Sequence, residues 1–192
     1  MIIDYSIFIG QFYVGLLVLW TLLIAFGYIF LKKDIFRLMR IVREPTMLAF
    51  ATASSESAYP KTMEALDKFG VPKRITSFVL PLGYSFNLDG SMMYMAFAVL
   101  FIAQAYNIDL SFSQQALILF TLMITSKGIA GVSRASIVVI ASTLAMFKLP
   151  EAGILLILAI DQFLDMGRTA TNVIGNSIAT AVIARTEGNK DE

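Results

Sequence analysis

The chain has no cysteine and no histidine among its 192 residues. That excludes disulfides, thiol chemistry and imidazole metal sites, and it leaves the redox compartment unread. No nucleophile–base pair stands out among the remaining side chains, so an enzyme is not expected. Net charge is equally scarce: 15 Lys and Arg against 14 Asp and Glu leave +1. Nucleic acid is therefore not an expected partner. Charge is missing altogether from 5–31, a run long enough to span a bilayer. The alternating apolar–polar pattern of a membrane barrel is absent too. What remains is a chain that is 57% hydrophobic. It reads as an all-α integral membrane protein, because helices satisfy their own backbone in lipid.

The chain divides into five segments. The first, 5–33, is a transmembrane helix. It is too long for the core of a signal peptide, and it lacks a basic start and a small-residue cleavage site. Lys32, Lys33, Arg37, Arg40 and Arg43 put its C-terminal end in the cytoplasm. The second segment, 34–72, has two modest arms around the polar turn Ala51–Pro60. Pro60 is expected at the first position of the returning arm. Such a segment reads as a re-entrant hairpin buried in protein, or alternatively as a cytoplasmic loop with amphipathic helices.

The third segment, 73–106, is apolar but interrupted by Asn87-Leu88-Asp89-Gly90-Ser91. Glycine there suits an unwound turn whose freed carbonyls coordinate a cation. Asp89 alternatively serves as a paired structural charge. Residues 104–115 carry no Lys or Arg and read as an outside loop. The fourth segment, 114–148, has short apolar arms around a tip at Ser126–Ser136, again a hairpin. The fifth, 151–185, is a transmembrane helix.

That last helix carries the densest chemistry. With about 100° per residue, Asp165, Arg168, Asn172 and Asn176 all fall within about 60° of Asp161. Ionisable groups inside a span mark a substrate or ion path by default. The plainer reading is that Asp165 and Arg168, three apart, simply pair with each other or glue helices together.

Four motifs then carry a resemblance. They are Ala53-Ser-Ser-Glu-Ser57 with Pro60, Tyr84-Ser-Phe-Asn-Leu-Asp-Gly-Ser91, Thr125-Ser-Lys-Gly-Ile-Ala-Gly-Val132, and Leu164-Asp-Met-Gly-Arg-Thr169 with Asn172-Val-Ile-Gly-Asn176. In this order they resemble the C-terminal half of the dicarboxylate/amino acid:cation symporters, over nearly the whole chain. That family includes bacterial proton or sodium glutamate/aspartate carriers. The resemblance implies a partial transport domain of the glutamate-transporter-like fold, with two re-entrant helical hairpins and a broken transmembrane helix. It implies an elevator mechanism and a homotrimer in the full-length family. The N-terminal scaffold half is absent here, so a fragment or a truncated gene product is expected.

The resemblance also implies roles. Arg168 would grip the substrate's side-chain carboxylate and Asp165 its ammonium. Asn172 and Thr169 would meet other polar groups, and Ser91 would line the pocket. Ser55 and the Gly131-Val132 backbone would hold the α-carboxylate. One cation would sit at Gly83, Asn87 and Asn172, with Asn176 at the place of an aspartate in sodium-coupled members. A second would use Ser85, Ser126, Lys127 and Ile129, and a third Asn87 with Asp89. Oxygen ligands of this kind suit a hard cation such as sodium.

Three departures stand out. Asn176 weakens the first cation site, as in several proton-coupled members. Met95 replaces a Glu or Gln, which argues against potassium counter-transport. Ser133-Arg134 replaces the common Pro-Gly at the second tip. The expectation is a symporter of glutamate or aspartate in the inner (plasma) membrane, multi-pass, coupled to Na+ and/or H+ and without a cofactor. A C4-dicarboxylate symporter, a non-transporting fragment and a channel are the alternatives.

Overall fold

The computed structural model describes residues 2–127 and 134–188. Those residues form nine α-helices, a short 3-10 turn and no strand. The helices are α1 (Ile2–Leu31), α2 (Asp34–Thr52), α3 (Ser55–Phe69), α4 (Lys73–Phe86), α5 (Asp89–Ala105), α6 (Phe112–Thr125), α7 (Ala135–Met146), α8 (Ile154–Leu158) and α9 (Asp161–Gly188). Two stretches are long and apolar enough to cross a membrane. They are Ile3–Leu31 and, counted through its interruption, Lys73–Ala105.

Everything is arranged around α9, which packs against α1, α2, α3, α4, α5 and α8. By contrast, α6 and α7 pack on α5 and on each other. Two large apolar clusters result, with a small third one of Ala49, Ala58 and Val173. One joins Phe12, Leu16, Tyr94, Ile102 and Leu122 with Leu164 of α9. The other joins Ile35, Leu38, Leu66 and Leu80 with Ile174 and Ile178 of α9. The middle of the polar stripe of α9, Asp165 to Asn172, lies between the residues that join the two large clusters, Leu164 and Ile174.

The second segment folds as two helices packed on each other, but its turn is tighter than expected. Only Ala53 and Ser54 separate α2 from α3. Ala53 takes a left-handed conformation at φ 49°, and the Ser54 hydroxyl accepts the Ser57 N–H at 3.4 Å. The expected placement of Pro60 at the start of the returning arm is therefore corrected. The Ser54 cap starts α3 five residues earlier, and Pro60 lies inside the helix. The first arm has 19 residues, about 28 Å at 1.5 Å each.

The interruption of the third segment falls at Asn87 and Leu88. Both leave the helical region, with ψ of 71° and 56°. In the fifth segment the expected helix 151–185 is not continuous. A 3-10 turn at Glu151–Gly153 leads into α8. The chain then tightens at Ala159–Ile160, where the Ile160 N–H bonds to Ile157 O and the Phe163 N–H to Ile160 O, both at 3.0 Å. Bonds of three-residue span make this a tight turn that joins α8 to α9. The tip 128–133 of the fourth segment lies outside the described residues.

Candidate functional site

Asp161, Asp165, Arg168, Thr169, Asn172 and Asn176 are all buried, none exposing more than 1%. Burying such groups without partners costs several kcal/mol each, so the partners define the site. Arg168 is the largest fully buried side chain. Its Nε donates to Asp165 Oδ1, and an Nη donates to Ser91 Oγ at 2.9 Å. The other Asp165 oxygen accepts the backbone N–H of Arg134 at 2.8 Å. The predicted pairing of Asp165 with Arg168 is thus present, but it is one link in a longer network.

Asn172 ties α9 to the start of α5. Its Oδ1 accepts the N–H groups of Gly90 at 2.9 Å and Ser91 at 3.3 Å. Its Nδ2 donates to Ser91 Oγ at 2.9 Å. The Ser91 hydroxyl therefore accepts from both Arg168 and Asn172. Gly90 is required for this approach, because a Cβ there would collide with the Arg168 carbonyl. Thr169 reaches the other way. Its hydroxyl lies 3.0 Å from the Ala49 carbonyl, four residues before the tip of α2–α3. Ser55 opens α3 beside that tip, and its buried hydroxyl finds no hydrogen-bond partner.

The expected cation residues gather where the third segment is interrupted. Asn87 Nδ2 donates to Asn176 Oδ1 at 3.2 Å, and the Asn176 Nδ2 is left unsatisfied. Asn176 is seated directly on Gly83, where a side chain would collide with it. Asp89 Oδ2 is buried without a hydrogen bond and lies against Gly175. Gly83, Asn87, Asp89 and Asn176 thus form one neighbourhood, with Asn172 one turn away along α9. The donors there are carbonyls, amides and one carboxylate. No group of three or more acidic side chains able to hold a metal ion occurs among the described residues. Such a low-charge set fits a monovalent hard cation better than a divalent one.

The remaining expected residues that the structure describes lie at the ends of α4 and α6. Ser126 is buried, with its hydroxyl bonded to Met123 O at 3.2 Å. The Lys127 Nζ donates to Phe86 O at 2.6 Å. Ser85 is half-buried in the last turn of α4. Ile129, Gly131 and Val132 lie outside the described residues.

Three functional contacts escaped the sequence reading. Asp161 accepts the Tyr94 hydroxyl at 2.5 Å, and its second oxygen lies 3.4 Å from Arg134 Nε. The Trp20 indole N–H donates to Thr171 Oγ1 at 2.7 Å. Arg134 itself departs from the family pattern, and nothing in its local sequence signals a partner on α9.

The chain matches the Sodium:dicarboxylate symporter family over residues 1–186. It is 52% identical over 159 residues to the proton/sodium-glutamate symport protein of Bacillus caldotenax, covering 83% of this chain and 38% of that protein. It is 51% identical over 150 residues to the proton/glutamate-aspartate symporter of Escherichia coli (strain K12), covering 78% and 34%. It is 41% identical over 192 residues to C4-dicarboxylate transport protein 2 of Mesorhizobium japonicum, covering 100% and 43%. The chain therefore spans less than half the length of these relatives. The matched residues run from the first through the last turns of α9 and hold every helix of the site, and the chain belongs to the sodium:dicarboxylate symporter family.

Proposed function

We propose that this chain is the substrate- and ion-binding part of a secondary symporter for acidic amino acids in the inner membrane. Aspartate or glutamate enters with Na+ and/or H+, and the domain moves as an elevator within a homotrimer. In this reading α2–α3 and α6–α7 are the two re-entrant hairpins, and α4–α5 is the broken transmembrane helix. No reaction is catalysed and no cofactor takes part. The observation that carries the proposal is the buried Arg168, held by Asp165 and Ser91 beside Asn172. A guanidinium fixed in a dry site is the natural anchor for a carboxylate. Relatives named as glutamate and glutamate–aspartate symporters support the same substrate class.

Asp165 decides between amino acid and dicarboxylate. An amino acid brings an ammonium to it, whereas succinate brings a second negative charge. For an ammonium to reach Asp165, it would replace the Arg134 amide on Oδ2. The second reading, a C4-dicarboxylate carrier, gains from that same contact. Asp165 already has hydrogen-bond donors on both oxygens and needs none from a ligand.

Counterflow of labelled aspartate and labelled succinate into liposomes separates the two. The measurement uses the complete carrier, with and without Asp165→Ser. The amino-acid reading expects aspartate to be preferred and the variant to lose aspartate more than succinate. A preference for succinate overturns it. Uptake of neither substrate by the complete carrier overturns both readings.

A further inference from the structure

We propose that the Lys127 ammonium competes with the coupling cation for the end of α4, so that Lys127 sets how strongly the carrier binds sodium. This goes beyond the substrate reading but rests on the same ion-coupled site.

The carbonyls at the end of an α-helix have no intrahelical N–H to accept. At α4 the first of them is served, since Gly83 O accepts the Asn87 N–H at 2.8 Å. The last, Phe86 O, accepts the Lys127 Nζ at 2.6 Å. That is a short charge-assisted bond, and it places a full positive charge at the interruption. Asp89 begins the next helix one residue beyond that interruption, with a buried oxygen that no donor satisfies.

A monovalent cation bound here would need what the ammonium already has: carbonyl oxygen and a nearby carboxylate. The ammonium is tethered, so it competes at high local concentration whatever the salt. It is also exposed at the mouth of the interruption, so it can leave when a better-coordinated ion arrives. Lys127 was expected to offer its backbone carbonyl to a cation. Its side chain also reaches the oxygen of Phe86, so one residue can act on both sides of the ion balance.

The chain's lack of cysteine supplies a clean test. Lys127→Cys removes the ammonium, and alkylation with bromoethylamine restores one of nearly equal length at that position alone. The readout is the thermal unfolding of the 192-residue chain in detergent, titrated with sodium chloride against choline chloride. No substrate is present, so the outcome is independent of whether the acidic amino-acid reading holds.

The unmodified Lys127→Cys protein is expected to bind sodium about tenfold more tightly than the parent, a change of about 1.4 kcal/mol. Aminoethylation is expected to return it to the parent value, and Lys127→Met should behave like the unmodified cysteine variant. Identical sodium titrations before and after alkylation overturn the proposal. So does failure of both variants to fold in saturating sodium, because the ion is proposed to stand in for the ammonium.

Discussion

The longest apolar helix, α1, lies mostly exposed, and the helix richest in buried charge is the core. Only 17% of the most apolar stretch of α1 is buried within the protein. Val14, Leu17, Val18, Leu22, Phe26 and Ile29 face outward from it. By contrast, α9 buries Asp161, Asp165, Arg168 and two asparagines completely or nearly so. A water-soluble domain would reverse this arrangement. The difference shows that α1 is built to meet an apolar medium or another helix, and α9 to keep polar groups away from one. The helices meet along a narrow seam, Phe12, Leu16 and Trp20, spaced one turn apart. Gly167 of α9 lets Leu16 approach closely, and Trp20 adds its bond to Thr171.

Breaking the α9 side should cost most. Arg168→Ala strands the Asp165 charge, and loss of one partner from a buried pair costs about 3–5 kcal/mol. Thermal unfolding of the chain in detergent should register this, with Arg168→Met less damaging when combined with Asp165→Leu. Gly90→Ala should come next, at about 1–3 kcal/mol, the usual penalty for forcing atoms into a packed site. Its Cβ has no room beside the Arg168 carbonyl, so α5 must move off α9. A fully stable Gly90→Ala protein would show that the contact is looser than described.

Asn176→Asp should act on function more than on stability. Its unsatisfied Nδ2 becomes a carboxylate oxygen beside Asn87, which adds charge to a hard-cation site. Sodium should then stimulate aspartate uptake by the complete carrier at lower concentration. An unchanged sodium dependence would place the ion elsewhere. The α1 side should respond least. Gly10→Ala on α1 meets no atom within 4 Å, and substitutions away from such contacts stay within about 0.5 kcal/mol. A larger change in detergent would reveal a partner surface on α1.

The same contrast explains what could be read from sequence. The stripe on α9 was legible because five polar side chains in an apolar helix share one face at helical period. The interruption at Asn87–Leu88 was legible because Asn, Asp and Gly cluster in an otherwise apolar run. The start of α3 was not. Three cap-capable serines, Ser54, Ser55 and Ser57, compete with Pro60, and tertiary packing decides which one caps. The tight turn at Ala159–Ile160 carries no Gly or Pro signal at all. The partners of Asp161 were hidden for another reason. Tyr94 lies 67 residues away on α5, and long-range contacts leave no periodic trace in a single sequence.

The interruption of the third segment has an electrical consequence. A continuous helix carries partial charges only at its two far ends, roughly half an elementary charge each. Cutting it at Asn87–Leu88 creates two new ends in the middle, a negative one on α4 and a positive one on α5. Asp89 and the side-chain Oδ1 of Asn172 already exploit the positive end. The negative end is held by an ammonium. The segment thereby offers places for both signs within a few residues, using peptide groups rather than additional ionised side chains. On the proposed reading this bipolar socket serves a zwitterion and its accompanying ion together, and a substitution that straightened the helix would erase both poles at once.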